Sequence, residues 1–169
     1  MIGKRFALAA CLALAPLPAS GAPDYFTSVQ GVWAGSGNIV NGKYKGTKFT
    51  CNLRGAPQRG ASMDISGTCR VGLLTQKISA RIKRGRNGYR GTFLDGAKGK
   101  GLDVVSGNVS GKRATMSMVR EELKGAMVAR VKDDGKLGIT VSVRIGEQLV
   151  PVIGIDLTRV DGTATGSVR

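Results

Sequence analysis

The chain has 169 residues, of which 41% are hydrophobic and 22% charged, with 26 glycines and no histidine. This composition is typical of one globular domain, not of a disordered tail or a membrane bundle. The absence of histidine excludes Ser-His and Cys-His hydrolases, His-ligated zinc and His-ligated haem, and 26 Lys and Arg against 11 Asp and Glu favour contact with polyanions.

Residues 1–21 have the pattern of a cleaved secretory signal peptide. Two basic residues near the start precede an apolar stretch of about 12 residues, which is too short for a membrane span of ~20. Ala19 and Gly21 occupy the −3 and −1 positions for cleavage before Ala22. We therefore expect a periplasmic or secreted protein with no transmembrane segment.

The segment Leu8-Ala9-Ala10-Cys11 also resembles the lipobox of a bacterial lipoprotein. Five residues separate Arg5 from Cys11, and so short a stretch leaves no proper apolar region ahead of a lipidated cysteine. We expect Cys11 to be removed with the signal peptide.

Cys51 and Cys69 are then the cysteines of the exported chain. In an oxidising compartment such a pair is most simply a disulfide, and two buried free thiols are the alternative. The bridge would close a loop of about 19 residues, which stabilises the fold by ~3 kcal/mol on the loop-entropy model.

Short runs in which apolar and polar residues alternate follow one another along the rest of the chain, each predicting a half-buried strand. The clearest apolar series are Ile78, Ala80 and Ile82; Ala114, Met116 and Met118; Leu137, Ile139, Val141, Val143 and Ile145; and Ile153, Ile155 and Leu157. Turn signals separate the runs at Asn41-Gly42, Arg86-Asn87-Gly88, Asp95-Gly96, Ser110-Gly111, Asp134-Gly135 and Gly146. About ten strands at this spacing are typical of an antiparallel meander.

The two cysteines fix a register for one hairpin. Pairing Cys51 with Cys69 places Leu53 opposite Gly67 and centres the hairpin near Gly60, with Pro57 also expected in the turn.

A sheet of many short strands has to protect its edges, and closure into a barrel does so. We predict an all-β fold, an antiparallel up-and-down meander of about 8–10 strands closed into a small calycin-like barrel over residues 31–160. We expect residues 22–30 to form an N-terminal extension and residues 161–169 to form a flexible tail. A β-sandwich is the alternative architecture.

The sequence Gly31-Val32-Trp33, followed by Ala34-Gly35-Ser36-Gly37, resembles the start of calycin barrels of the lipocalin and fatty-acid-binding type. The resemblance implies that Trp33 closes one end of the barrel and that the interior carries a ligand. With Gly67-Thr68-Cys69-Arg70 and the closing Ile155-Asp156-Leu157-Thr158-Arg159, the layout also resembles a group of small exported bacterial proteins of unassigned activity. More loosely it resembles periplasmic metalloprotease inhibitors, whose N-terminal segment, here Ala22 to Ser28, enters the protease cleft.

The predicted inner face of the barrel is rich in methionine. We expect Met116, Met118, Ile139 and Val141 to line the interior, with Trp33 at its closed end. Methionines either fill irregular gaps in a plain core or line a pocket that adapts to an apolar guest. A methionine-only copper site without histidine or free cysteine would be unusual, so we expect no metal and no cofactor.

The densest basic stretch is a predicted hairpin that carries Arg81, Lys83, Arg84, Arg86 and Arg90. Such a cluster could bind phosphates or sulfates. For an exported protein the expected polyanion is an anionic lipid or polysaccharide of the envelope, because such a protein seldom meets nucleic acid. The alternative is an ordinary solvated hairpin.

No nucleophile in the sequence has a visible base, so we expect no enzyme and no catalytic residues. Glu121-Glu122 and Asp133-Asp134 are neighbours whose side chains would point to opposite faces of a strand. Ser110-Gly111-Lys112 is more simply a turn than a Ser-Lys dyad.

Three functions remain open. The first is a carrier of an apolar or amphipathic small ligand, the second is a surface protein that binds anions through the basic hairpin, and the third is a protease inhibitor. The sequence leaves the oligomeric state open.

Overall fold

Ten antiparallel strands close into one barrel, in which each strand pairs with its neighbours along the chain and the last strand pairs with the first. The computed structural model describes residues 25–94, 102–133 and 135–161. In chain order the elements are α1 (Tyr25–Ser28), β1 (Gly31–Ile39), β2 (Lys48–Gln58), β3 (Ser62–Val71), β4 (Leu74–Gly85), β5 (Gly88–Leu94), β6 (Leu102–Ser110), β7 (Arg113–Arg120), β8 (Leu123–Asp133), β9 (Lys136–Ile145) and β10 (Gln148–Arg159).

The predicted all-β closed barrel is confirmed, and the sandwich is not formed. The predicted disulfide is also present: Cys51 and Cys69 lie directly opposite each other on β2 and β3, with Cα atoms 4.1 Å apart. Leu53 pairs with Gly67, in the register that the cysteines predicted.

The expectation that Pro57 lies in the hairpin turn is wrong. Pro57 belongs to β2 and lies opposite Met63 on β3. The pairing of β1 with β2 ends at Gly31 opposite Gly55, so β2 has a strand on one side only where Pro57 stands. A residue without a backbone N–H is tolerated at such an edge.

Burial along the inner face divides the barrel into two ends. Trp33, Met63 and Met116 are among the most deeply buried side chains, at 1–2% exposure. Inward residues near the opposite rim, such as Phe49 and Val141, are only partly buried. We call the first end the closed end and the second the open end.

The short helix α1 fills the closed end. Its side chains Tyr25 and Phe26 are 6% and 3% exposed and belong to the same core cluster as Trp33 and Met116. The chain then runs directly into β1. From residue 25 onward, the predicted N-terminal extension is therefore packed into the closed end of the barrel.

Inward-facing glycines allow the sheet to coil tightly. A Cβ on Gly91 would collide with the carbonyl oxygen of Arg81, and a Cβ on Gly67 would collide with that of Asn52. Neighbouring strands approach too closely at these points for any side chain, as is common at barrel corners.

Some expectations fall on residues outside the described ranges. These are the signal peptide with Cys11, the Asp95-Gly96 turn, Asp134, and the predicted tail beyond residue 161. Among the described residues, no helix has the length and apolar character needed to cross a membrane.

Candidate ligand cavity

The barrel encloses an apolar cavity of about 320 Å³ between α1 and the open end. Its walls are the inward faces of the strands, and its floor is formed by α1 and the residue that follows it. The lining residues are Tyr25, Phe26, Val29, Phe49, Leu53, Met63, Ile65, Cys69, Val71, Gln76, Ile78, Ile82, Phe93, Leu102, Ala114, Met116, Met118, Met127, Ala129, Leu137, Ile139, Val141, Ile153 and Ile155.

The wall of the cavity is almost entirely hydrocarbon and sulfur. Among the described lining residues none carries a charge, and the polar side-chain groups are the Gln76 amide and the Tyr25 hydroxyl. Four methionines are included, Met116 and Met118 among them. Unbranched thioether side chains repack easily around guests of different shape, so this wall suits an apolar molecule without demanding one exact outline.

Four of the five predicted pocket residues line this cavity: Met116, Met118, Ile139 and Val141. Trp33 does not. It lies at the closed end, 2% exposed, and its indole Nε1 donates a hydrogen bond to the Val29 carbonyl at 3.0 Å. Val29 lines the cavity in its place, so Trp33 supports the floor from behind.

Tyr25 fixes the floor to the wall. Its hydroxyl donates a hydrogen bond to the carbonyl of Ala129 on β8 at 3.3 Å, which satisfies a polar group that burial would otherwise leave without a partner. Burial raises the pKa of the Tyr25 hydroxyl above its ordinary value of about 10. The neighbouring Phe26 ring meets Tyr89 of β5 edge to face, with centroids 5.2 Å apart.

Arg159 fastens α1 from the other side. Its guanidinium donates hydrogen bonds to the carbonyls of Ser28, at 2.6 Å, and of Gln30. The same group stacks over Trp33, 4.4 Å from the ring centroid. The end of α1 is therefore held by the end of β10, although the two are 131 residues apart in the sequence.

The cavity reaches the surface at the open end. Val71 and Gln76, on the strands that flank the β3–β4 turn, both line the cavity and are exposed to solvent. The helix α1 occupies the opposite, closed end.

The predicted basic hairpin forms, but its cations do not share one face. Lys83 and Arg90 lie opposite each other, on the outer face together with Arg81. Arg81 is engaged with Asp64 of β3 at 2.8 Å, and this contact raises the pKa of the Arg81 guanidinium.

Arg84 and Arg86 instead line a second, surface cleft of about 420 Å³ at the closed end. The cleft lies between the β4–β5 and β6–β7 turns, and Tyr25 forms part of its wall. The alternation of side chains along β4 explains the division: Arg84 has the same parity as the inward-facing Ile82, and Lys83 the opposite parity.

Among the described residues, no group of three or more His, Cys, Asp or Glu side chains is arranged to hold a metal ion. The carboxylate of Asp133 accepts a hydrogen bond from the backbone N–H of Gly135 at 3.0 Å, as in an ordinary turn.

Sequence reasoning missed the aromatic residues of the floor, Tyr25 and Phe26, but not Phe49 of the wall. Phe49 shares the parity of Cys51 on β2, so its inward position followed from the predicted register. Tyr25 and Phe26 carried no such signal, because a four-residue helix is too short to show a periodic pattern.

No protein-family model matches the chain, and no curated protein matches it significantly. Among solved structures it is similar to the crystal structure of Rv2717c from M. tuberculosis, with a TM-score of 0.58 and 14% sequence identity over 79% of this chain and 94% of that one. At this identity the similarity shows the fold alone. The resemblances to calycins, to the small exported proteins and to protease inhibitors stay expectations.

Proposed function

We propose that this is an exported, non-catalytic binding protein that holds an apolar or amphipathic small molecule inside its barrel. The observation that carries the proposal is the cavity of about 320 Å³ with a wall free of charged side chains among the described residues. Its volume lies at the lower end of the range for small-molecule sites, ~300–1,000 Å³.

The wall chemistry restricts the ligand. A buried carboxylate or phosphate needs a charge partner or several hydrogen-bond donors, and the described wall offers only the Gln76 amide and the Tyr25 hydroxyl, which already binds Ala129. The ligand therefore places a hydrocarbon part in the cavity, and any polar head lies at the mouth beside Gln76.

Export accords with the disulfide, since such bridges persist in oxidising compartments.

The test is a titration with N-phenyl-1-naphthylamine, a neutral apolar fluorophore that brightens when it leaves water. We expect saturable, one-to-one binding to the wild-type protein. Val141→Phe adds bulk inside the cavity and should weaken binding at least tenfold. The matched control is Thr140→Phe, which adds the same ring at the next, outward-facing position of β9 and should bind like wild type.

Thermal unfolding of both variants shows whether each is folded, and Ile139→Phe serves as a second filling variant if Val141→Phe fails to fold. Non-saturable binding to wild type, or equal loss in the filled and control variants, would overturn the proposal.

A second candidate function is anion binding in the cleft between the β4–β5 and β6–β7 turns, which brings Arg84 and Arg86 together with backbone of four glycines. Charge reversal of these two arginines should abolish salt-sensitive binding of a sulfated polysaccharide such as heparin. Reversal of Lys83 and Arg90, on the outer face of the same hairpin, is the matched control. Equal losses of heparin binding in the two double variants would show that binding depends on the net charge of the protein and not on the cleft.

We do not extend the proposal to protease inhibition. Within the described part of the segment that would enter a protease cleft, Tyr25 and Phe26 are buried in the barrel and belong to its core.

A further inference from the structure

We infer that the open end of the barrel docks onto the surface of an anionic phospholipid bilayer, with apolar side chains of four turns inserted among the lipids. The docking surface, called the rim below, consists of residues 40–48, 70–77, 120–124 and 144–149. It is distinct from the basic hairpin, which lies at the closed end.

Exposed large hydrophobic side chains are concentrated in the rim. Of ten in the described ranges, eight lie there: Val40, Tyr44, Val71, Leu73, Leu74, Leu123, Ile145 and Leu149. Val105 is on the flank of the barrel and Val160 at the closed end. Single exposed apolar residues are ordinary, but a cluster bordered by polar residues marks an interaction site.

The topology places these side chains at one end of the barrel. In an up-and-down barrel alternate turns project from the same end, so, among the turns that the structure describes, those of β1–β2, β3–β4, β7–β8 and β9–β10 surround the mouth. Leu73 is completely exposed, and Leu123 and Ile145 are more than 60% exposed. The apolar groups thus surround the opening on four turns, an uneven surface that suits a soft medium better than the continuous surface of a protein partner.

The turns hold these groups outward. Two residues, Gly72 and Leu73, connect β3 to β4, and Gly72 has the left-handed φ of +55° that such tight turns require. Polar residues are the usual choice at a hairpin tip, so leucine at position 73 departs from the local pattern without a packing contact that explains it. Departures of this kind are expected at functional positions.

The charge of the rim identifies the kind of surface. Its four segments contain eight Lys or Arg and three Glu. Lys43 lies over the ring of the exposed Tyr44, with Nζ 5.7 Å from the ring centroid. Aromatic and aliphatic side chains interleaved with lysines are typical of proteins that rest at the interface of anionic membranes, where the stem is buried and the ammonium reaches the headgroups.

The rim is continuous with the cavity. Val71 and Gln76 belong to the rim and also line the cavity, so in the docked orientation the mouth faces the lipid. If the barrel carries an apolar ligand, as proposed above, docking would let that ligand pass between the bilayer and the cavity without crossing water.

The test is co-flotation of the protein, purified from an exporting host, with vesicles of phosphatidylcholine alone or with one quarter phosphatidylglycerol. We expect binding to the anionic vesicles that exceeds binding to the neutral ones at least tenfold at low salt. Weak binding should persist at about 1 M salt, where electrostatic attraction is screened but apolar insertion remains.

The apolar contribution is measured with the double variant Leu73→Ser and Leu123→Ser, which removes the exposed groups of two turns. We expect the partition coefficient to fall about tenfold or more, including the part that resists salt. The matched control, Val105→Ser with Val160→Ser, removes two exposed hydrophobic side chains outside the rim and should leave binding unchanged.

The charge contribution is measured with Lys43→Glu and Lys45→Glu, compared with Arg84→Glu and Arg86→Glu at the closed end. Loss in the first pair alone supports docking by the rim. Loss in the second pair alone overturns it and transfers lipid binding to the closed end. A rim variant that changes the oligomeric state but not vesicle binding also overturns it, because the rim would then be a contact between copies of this chain.

Two measurements on wild type, together with the cavity variant Val141→Phe, separate this inference from the proposed function. If wild type and Val141→Phe both float with vesicles but wild type does not bind the naphthylamine probe, docking stands and the carrier function does not. If wild type binds the probe but no vesicles, the carrier function stands and docking does not.

Discussion

Arg159 lies directly opposite Trp33 on paired strands, and its guanidinium covers the indole ring at 4.4 Å. The same group donates hydrogen bonds to the carbonyls of Ser28, at the end of α1, and of Gln30, just beyond it. One side chain of β10 thus joins the first strand, the helix that closes the barrel and the floor of the cavity. Its planar fork of donors is what allows hydrogen bonding and stacking at once.

Replacing Arg159 by methionine should loosen this closure. The substitution keeps an unbranched chain for packing but removes both hydrogen bonds to carbonyls and the cation over Trp33. We expect the free energy of unfolding to fall by about 2–4 kcal/mol, measured by urea unfolding.

The fluorescence of Trp33, the single tryptophan of the chain, reports the closed end directly. Arg159→Lys should recover little, because an ammonium cannot reproduce the fork. Arg130→Met, an exposed arginine on β8, is the control and should change stability by less than about 0.5 kcal/mol. Equal stabilities of Arg159→Met and this control would contradict the role assigned to Arg159.

Gly91→Ala should be severely destabilising for steric reasons alone. The added methyl group would collide with the backbone carbonyl of Arg81, and a backbone atom cannot move aside as a side chain can. We expect a loss of about 2 kcal/mol or more in thermal or urea unfolding.

Gly85 provides the matched control on the neighbouring strand, since the nearest atom to its added Cβ would be the Gly88 carbonyl oxygen at 3.4 Å. Gly85→Ala should therefore be neutral or slightly stabilising, by up to about 1 kcal/mol. If the two alanine variants behave alike, close strand approach does not explain the inward glycines.

Removing the disulfide with Cys51→Ala and Cys69→Ala should lower the free energy of unfolding by about 2–4 kcal/mol, since the bridge restricts the unfolded chain. Differential scanning calorimetry measures the change, with reduced wild type as the comparison. Because the register also depends on pairs such as Leu53 with Gly67, the far-ultraviolet spectrum of the variant should remain that of the barrel. A random-coil spectrum would show that the bridge is required for folding itself.

Alkaline pH should weaken the closure through Tyr25. The unfolded chain loses the Tyr25 proton near pH 10, whereas burial raises the pKa in the folded chain so that the proton is kept. The unfolded state then binds fewer protons than the folded state, so stability falls with rising pH above about 10 and this contribution is intact below it.

Tyr25→Phe isolates that effect. At neutral pH the variant should be less stable by about 1 kcal/mol, because the hydrogen bond to Ala129 is lost. Above pH 10 the difference should narrow and then reverse, since phenylalanine cannot ionise. A constant difference in the free energy of unfolding from pH 8 to 11 would contradict the assignment.

The regular part of the fold could be predicted because its signals are repeated. Alternation along β9, from Leu137 to Ile145, and the paired cysteines each fix which side chains face inward, and these independent signals agree. Met116 and Val141 were placed on the cavity wall by that alternation alone.

The irregular parts were not predictable in the same way. Tyr25 and Phe26 lie on a helix of a single turn, which is too short to show a pattern in the sequence. Their position depends on Arg159, more than 130 residues away. Pro57 was assigned to the turn because proline is rare inside sheets, but it stands where β2 has lost its β1 neighbour. Both cases depend on where another strand ends, which local pattern does not encode.

The basic hairpin was predicted as one cluster because turns bring side chains together. Strand alternation separates its cations instead, with Lys83 outward and Arg84 at the cleft. The exposed leucines of the rim, such as Leu73 and Leu123, carried no signal in the sequence, because their position around one opening follows only from barrel closure.

Native mass spectrometry of the protein purified from an exporting host tests the proposal that the barrel holds an apolar small molecule. We expect an additional dissociable mass of a few hundred daltons, consistent with a small-molecule cavity, on wild type and on Thr140→Phe. For Val141→Phe we expect the bare protein mass. A bare mass for wild type, with no mass gained after incubation with vesicles or with the naphthylamine probe, would contradict the proposal.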